Sequence, residues 1–232
     1  MAAVEGLFFL GAHRASRALP GHAPERPVLV AAAISAVLVL VNSALGVSGL
    51  LGHFEATPPP FVPFFLINVL GVSLAIAFSP LGRLLQRGLS YSALVGFHAF
   101  RLLAELVIIT AVHERLAPMQ MSFRGYNFDL LTGVAAVVLG LALRVRVRRL
   151  WLIAFNVLGL GCLAVIAFVA ATSMPGPVRL FMTEPSNIWV SRFPYVLLPG
   201  ILVTAALTGH WILLRKLASD VSLARARNGL TR

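Results

Sequence analysis

YSALVGFHAFRLLAELVIITAVH, residues 91–113, is an apolar run of membrane-spanning length that holds a histidine, an arginine and a glutamate. At about 100° per residue, Arg101 falls about 60° and Glu105 about 20° from His98, so the three project from one face of a helix. Leu, Ala, Val and Phe fill the other faces. An ionised side chain at the centre of a bilayer costs roughly 2.5–3.5 kcal/mol on insertion scales, so such groups turn toward a bundle interior or a water-filled cavity. This helix is therefore expected to be the central one, with His98, Arg101 and Glu105 as an intramembrane polar cluster.

The rest of the chain supports that setting. It is 59% hydrophobic and 12% charged over 232 residues, where soluble domains carry about 25% charged residues. Six apolar segments are expected to span: 27–51, 61–78, 91–112, 128–143, 150–172 and 193–214. The second and fourth are short against the roughly 20 residues a bilayer demands. The predicted fold is all-α, a polytopic bundle of six transmembrane helices over residues 27–214. A tail precedes it at 1–26 and a basic tail follows at 215–232, leaving no length for a soluble domain.

The net charge of +11 sorts by side. Arg14, Arg17, Arg26, Arg83, Arg87, Arg144, Arg146, Arg148, Arg149, Arg215, Lys216, Arg225, Arg227 and Arg232 fall on one face, against Glu5, Glu25 and Asp220. On the other face Arg115, Arg124, Arg179 and Arg192 are balanced by Glu55, Glu114, Asp129 and Glu184. The positive-inside rule then predicts a cell-membrane protein with both termini cytoplasmic and an even number of spans. Anionic headgroups are sufficient partners for this charge. Nucleic acid is not expected, because no aromatic-basic platform accompanies it.

Residues 1–26 lack the layout of a cleaved signal peptide, and Leu7-Phe8-Phe9-Leu10 followed by His13, Arg14 and Arg17 can form an interfacial amphipathic helix. Cys162 is the single cysteine, which excludes an intramolecular disulfide and a cysteine-based metal cluster. Asn68, Asn156 and His210 are candidate polar lining, and Asn42 and Asn68 can hydrogen-bond between helices. Arg101 and Glu105, four apart, can pair within their helix, although the reverse order is the better one.

The loop HERLAPMQMSFRGYNFD, residues 113–129, is sticky and polar together. Asn127 can cap the fourth span, with Asp129 favourable in its first turn. Glu184 and Asn187 are the matching candidates in the third outer loop. Gly161, Ala164, Ala167 and Ala171 form a stripe of small residues for close helix approach, and Pro199-Gly200 predicts a kink in the last span. Trp189 is expected in an outer aromatic belt.

Transport or binding of a small solute or proton through the His98, Arg101 and Glu105 cluster is the first functional expectation. A b-type haem held axially by His98 and His210 is the second. Copper(I) at Met119 and Met121, joined by Met174 and Met182, is a weaker one, since thioethers suit that ion. The chain also suits an accessory subunit whose partner carries the chemistry. No nucleophile for a hydrolase accompanies Glu105 and His98, and no nucleotide-binding or zinc-protease motif is present.

Overall fold

Among the described residues, which are 2–19, 25–145 and 148–229 without the side chains of 221–229, the computed structural model has helices and turns and no strand. Arg146 and Arg232 lie outside these residues, as do the side chains of Arg225 and Arg227.

Helix α1, Ala2–Arg17, packs on α2, Glu25–Ser48, and on the short helix α4, Pro80–Gly88. Gly88 permits that crossing, because a Cβ there would collide with the backbone of Ala15. Between α2 and α4 runs α3, Phe61–Phe78. Helix α5 covers Tyr91–His113, α6 covers Asp129–Ala142 and α7 covers Arg149–Thr172. The last helix, α8, opens at Leu198 and runs through Gly229, so the expected basic tail continues this helix.

Five of these helices, α2, α3, α5, α7 and α8, are long and apolar enough to cross a membrane. Helix α6 is apolar but has only 14 residues, about 21 Å of rise against a hydrocarbon core of about 30 Å.

Two helices open with wide turns. Pro63 precedes a π segment at Phe64–Gly71 in α3, and Pro199 lies inside one at Leu198–Val203 in α8. Proline has no N–H to continue the ordinary ladder, so the turn widens there. The two segments pack on each other and on Asn42 of α2. Asn68 Nδ2 donates to Asn42 Oδ1 at 2.6 Å, and Asn42 Nδ2 donates to the Leu38 carbonyl at 2.7 Å. Gly200 must be bare, since a Cβ would collide with Asn42 Oδ1.

The central helix is α8, not α5 as its charges suggest. In the most apolar window of α8, 61% of residues are buried, against 33% in α5 and 11% in α2. Helix α8 gains this place with small and hydroxyl residues: Thr204 and Thr208 turn their hydroxyls onto the carbonyls of Gly200 and Thr204 at 2.9 and 2.8 Å. A hydroxyl spent on its own helix packs as an apolar group.

Two large apolar clusters hold the bundle. One gathers Phe64, Phe100, Leu163, Leu202 and Leu207, and the other Val95, Leu152, Phe155, Ile212 and Leu213. Along α5, α7 and α8 alike, the chain passes from one cluster to the other through a short polar interval. His98, Asn156 and His210 lie in those intervals, at the waist of the molecule.

Candidate functional site

Helix α5 tightens into a 3-10 turn at Phe97–Phe100 before resuming at Arg101. Side chains three apart eclipse in such a turn, which aligns His98 with Arg101 more closely than a regular helix would. Both are buried, at 0% and 1% exposure.

Arg101 is the hub of the site. Its Nη1 donates to Asp129 Oδ1 at 3.1 Å and to the Gly159 carbonyl at 3.3 Å. Its Nη2 stands 3.2 Å from His210 Nε2. The expected pairing with Glu105 does not form: the carboxylate that answers Arg101 is Asp129, from the first turn of α6. Glu105 instead reaches the loop that follows α5. Its two oxygens accept from the Phe123 N–H at 2.6 Å and from Asn127 Nδ2 at 2.8 Å.

Asn127 links the Glu105 carboxylate to the Asp129 backbone. Its Oδ1 accepts from the Asp129 N–H at 3.2 Å, while the N-cap position of α6 belongs to Phe128. The capping role expected for Asn127 is thus replaced by a turn that delivers Asp129 to Arg101. A continuous path runs Glu105, Asn127, Asp129, Arg101, His210, Asn156.

The proton positions on His210 follow from its partners. Nδ1 lies 2.5 Å from Asn156 Oδ1, and Asn156 Nδ2 donates to the His210 carbonyl at 3.4 Å, which sets the amide orientation. His210 therefore carries its proton on Nδ1 and offers the Nε2 lone pair to Arg101, whose guanidinium can only donate. Gly159 makes room for this ring: a Cβ at Gly159 would collide with it. Close approach along α7 thus occurs at Gly159, while Gly161 and Ala164 of the expected stripe are exposed.

His98 lies against the same ring, with centroids 4.1 Å apart and planes tilted by 32°. Phe97 and Phe155 enclose it edge-on. Neither ring nitrogen of His98 has a hydrogen-bond partner, nor has Arg101 Nε or Thr132 Oγ1. Such orphaned groups cost free energy wherever they are buried, and their concentration at one waist marks it off from the surrounding core.

Cavities approach the waist from both ends. One of about 100 Å³, on the side of the long loops, is lined by Arg101, Asn127, Asp129 and Trp189. Trp189 is buried rather than belted at an interface, and its Nε1 has no partner. A second, of about 710 Å³, lies on the side of α1 and reaches Phe97 and Gly209. Those are the neighbours of His98, since a Cβ at Gly209 would come within 2.8 Å of His98 Nε2.

The two long loops, after α5 and after α7, are tied to each other. Gln120 donates to Ser173 Oγ at 3.1 Å and accepts from Thr183 Oγ1 at 2.7 Å. Asn187 Nδ2 donates to the Ala170 carbonyl at 2.9 Å. Glu184 stays exposed, accepting from Arg179 at 2.7 Å and from the Ser186 N–H at 2.8 Å. These bonds, with that to Arg179 foremost, hold its carboxyl below the ordinary range.

Of the candidate lining, Asn156 and His210 join Arg101, whereas Asn68 belongs to the α2–α3 contact. Sequence reasoning missed Asp129 as the ionic partner and Gly159 as both acceptor and spacer. An acid one residue into an apolar helix was the available signal for the first. A pair of axial haem ligands needs its Nε2 atoms on opposite sides of an iron. Stacked rings at 4.1 Å, with one Nε2 engaged by Arg101, do not fit that group. Met121 and Met174 pack in separate apolar clusters, while Met119 and Met182 are exposed. Among the described residues, no group of three or more His, Cys, Asp or Glu side chains is placed to hold a metal.

An all-helical protein with membrane-length apolar helices and an ionic centre at its waist is thus the class that fold and site define. The chain belongs to the family described as Domain of unknown function (DUF8737), whose model matches residues 58–218. The match takes in every member of the ionic centre and leaves α1 and α2 outside it. No curated protein and no solved structure matches the chain.

Proposed function

We propose that the protein is a cell-membrane transporter of six spans, with both termini cytoplasmic, that moves a proton, alone or with a small solute, through the waist between α5, α6, α7 and α8. One observation carries this reading: two cavities end at the same polar centre from opposite sides, one at Arg101 and Asp129 and the other at Phe97 and Gly209 beside His98. The asymmetry of Arg and Lys supports the orientation, and the apolar character of α6 supports a short fourth span crossing a locally thinned bilayer.

The hydrogen bonds suggest how a proton acts there. Nε2 of His210 accepts either the Arg101 guanidinium or a proton, but not both. Protonation expels Arg101 toward Asp129 and the loop-side cavity; deprotonation draws it back. His98, stacked on His210 with both nitrogens free of partners, lies beside Gly209 of the opposite cavity and can accept a proton from that side. Asn156 holds the His210 ring in orientation.

Purified protein in liposomes containing pyranine, under a valinomycin-imposed potassium potential, tests the reading. Wild-type protein is expected to acidify the lumen faster than protein-free liposomes, and His210→Gln to abolish the difference. A wild-type rate equal to that of empty liposomes at both neutral and mildly acid pH overturns proton movement.

A further inference from the structure

The cavity of about 710 Å³ is far larger than passage of a proton requires. It is within the roughly 300–1,000 Å³ typical of small-molecule sites. Its walls come from six helices, with Val4 and Phe8 of α1, Leu38 of α2, Ile76 of α3, Leu85 of α4, Leu94 of α5 and Ile212 of α8 among them.

Three of the five lining hydroxyls are spent. Ser92 donates to the Gly140 carbonyl at 2.5 Å, and Thr204 and Thr208 donate to carbonyls of their own helix. The walls are mainly hydrocarbon, with Ser35 and Ser90 the other hydroxyls. Among the described residues, charge enters the lining at Glu5, Arg14 and Arg144, so cations outnumber the single acid. Arg14 is in the last turn of α1 and Arg144 follows α6, both on the face that carries the basic excess.

We propose that this cavity seats the hydrocarbon chain of a single-chain anionic amphiphile, with its headgroup answered by Arg14 and Arg144. An apolar chamber with two exposed cations and one acid in its lining matches one chain and one acidic head by charge complementarity. A carboxylate from a fatty acid and a phosphate from an isoprenyl or lysolipid donor share this chemistry. The proposal stands apart from proton movement, since the chain needs only the chamber and its cations.

Full-length protein is photolabelled in liposomes with diazirine-bearing palmitate, and the labelled peptides are mapped by mass spectrometry. Labels are expected to concentrate on α1 and on the cavity faces of α2 and α8. Palmitate and farnesyl phosphate should compete and hexadecanol should not; the stronger of the two acids names the headgroup. Ser35→Trp, which fills the chamber, should lower labelling roughly tenfold, while Leu40→Trp on the exposed face of α2 should leave it unchanged. Arg14→Gln with Arg144→Gln should cost roughly tenfold in competition by the acids and nothing with hexadecanol. Labels spread evenly over the lipid-facing surface, or hexadecanol competing as well as palmitate, overturn the proposal. Both readouts come from wild-type protein and hold whether or not a variant folds.

Discussion

Two of the polar contacts that cross this bundle differ in what they leave over. At the contact of α2 with α3 and α8, Asn68 donates to Asn42, Asn42 donates to Leu38, and bare Gly200 closes on the amide. Those donors and acceptors are neutral. At the waist, by contrast, Arg101 and Asp129 bring opposite charges, while Arg101 Nε and both nitrogens of His98 remain without partners. A closed neutral pair serves packing alone. A charged centre with spare donors and acceptors, reached by cavities at both ends, has the capacity to exchange a proton or a ligand.

The comparison breaks most sharply at the ion pair. Arg101→Leu leaves the partly buried Asp129 without its cation, and a loss of about 3 kcal/mol in stability is expected, read as a fall in the unfolding midpoint in detergent. Arg101→Leu with Asp129→Asn removes both charges and should recover most of that loss while transport stays absent. Failure of the double variant to recover would show that the guanidinium is needed for more than its partner.

The two tight glycines come next. Gly159→Ala and Gly200→Ala each drive a Cβ into a polar side chain, His210 in the first case and Asn42 in the second. Each should cost about 1–3 kcal/mol. Only Gly159→Ala should stop proton flux in liposomes; a loss of flux in Gly200→Ala as well would dissolve the distinction between the regions.

Asn68→Leu is expected to cost about 0.6 kcal/mol, the average for an interhelical hydrogen bond in a bilayer, with flux intact. His98→Phe removes no hydrogen bond but puts a larger ring into a closed site beside Gly209, so a cost of only about 1 kcal/mol is expected. Flux should nevertheless fall to the background of empty liposomes. Retained flux would take His98 out of the path and leave His210 to carry it.

The smallest effect concerns the loops. Arg179 holds the Glu184 carboxyl below its ordinary range, so its folded-state pKa is depressed relative to the unfolded chain. The associated stability is present above the ordinary carboxyl pKa and is lost as pH falls through the depressed one. At this exposed site Glu184→Gln should flatten only the acid limb of a stability-against-pH curve and leave the neutral plateau in place.

Much of the membrane character was legible in the chain. The apolar runs near residues 27–51, 61–78, 91–112 and 150–172 reappear as α2, α3, α5 and α7 within a few residues, because length and apolarity are local properties. Burial of His98, Arg101 and Glu105 followed equally from their shared helical face. The partner of Arg101 did not. Spacing along α5 favours Glu105, but a distant acid at the start of α6 has the geometry, and Glu105 answers backbone and amide donors of its own loop. The rank of α8 as the central helix was hidden for a related reason: its threonines and glycines read as weakly apolar, yet they allow the closest packing.

By itself, then, the sequence determined that this is an all-helical chain with membrane-length apolar segments and buried charge on α5, since transfer energies and helical periodicity depend on residues near one another along the chain. Only the tertiary structure decided that Arg101 answers Asp129, that His210 offers Nε2 through its bond to Asn156, and that a large chamber lies under α1. Those outcomes depend on which helices meet and how closely, and the meeting is set by residues such as Gly159 and Gly88, whose lack of a side chain makes room for a partner far away in the chain.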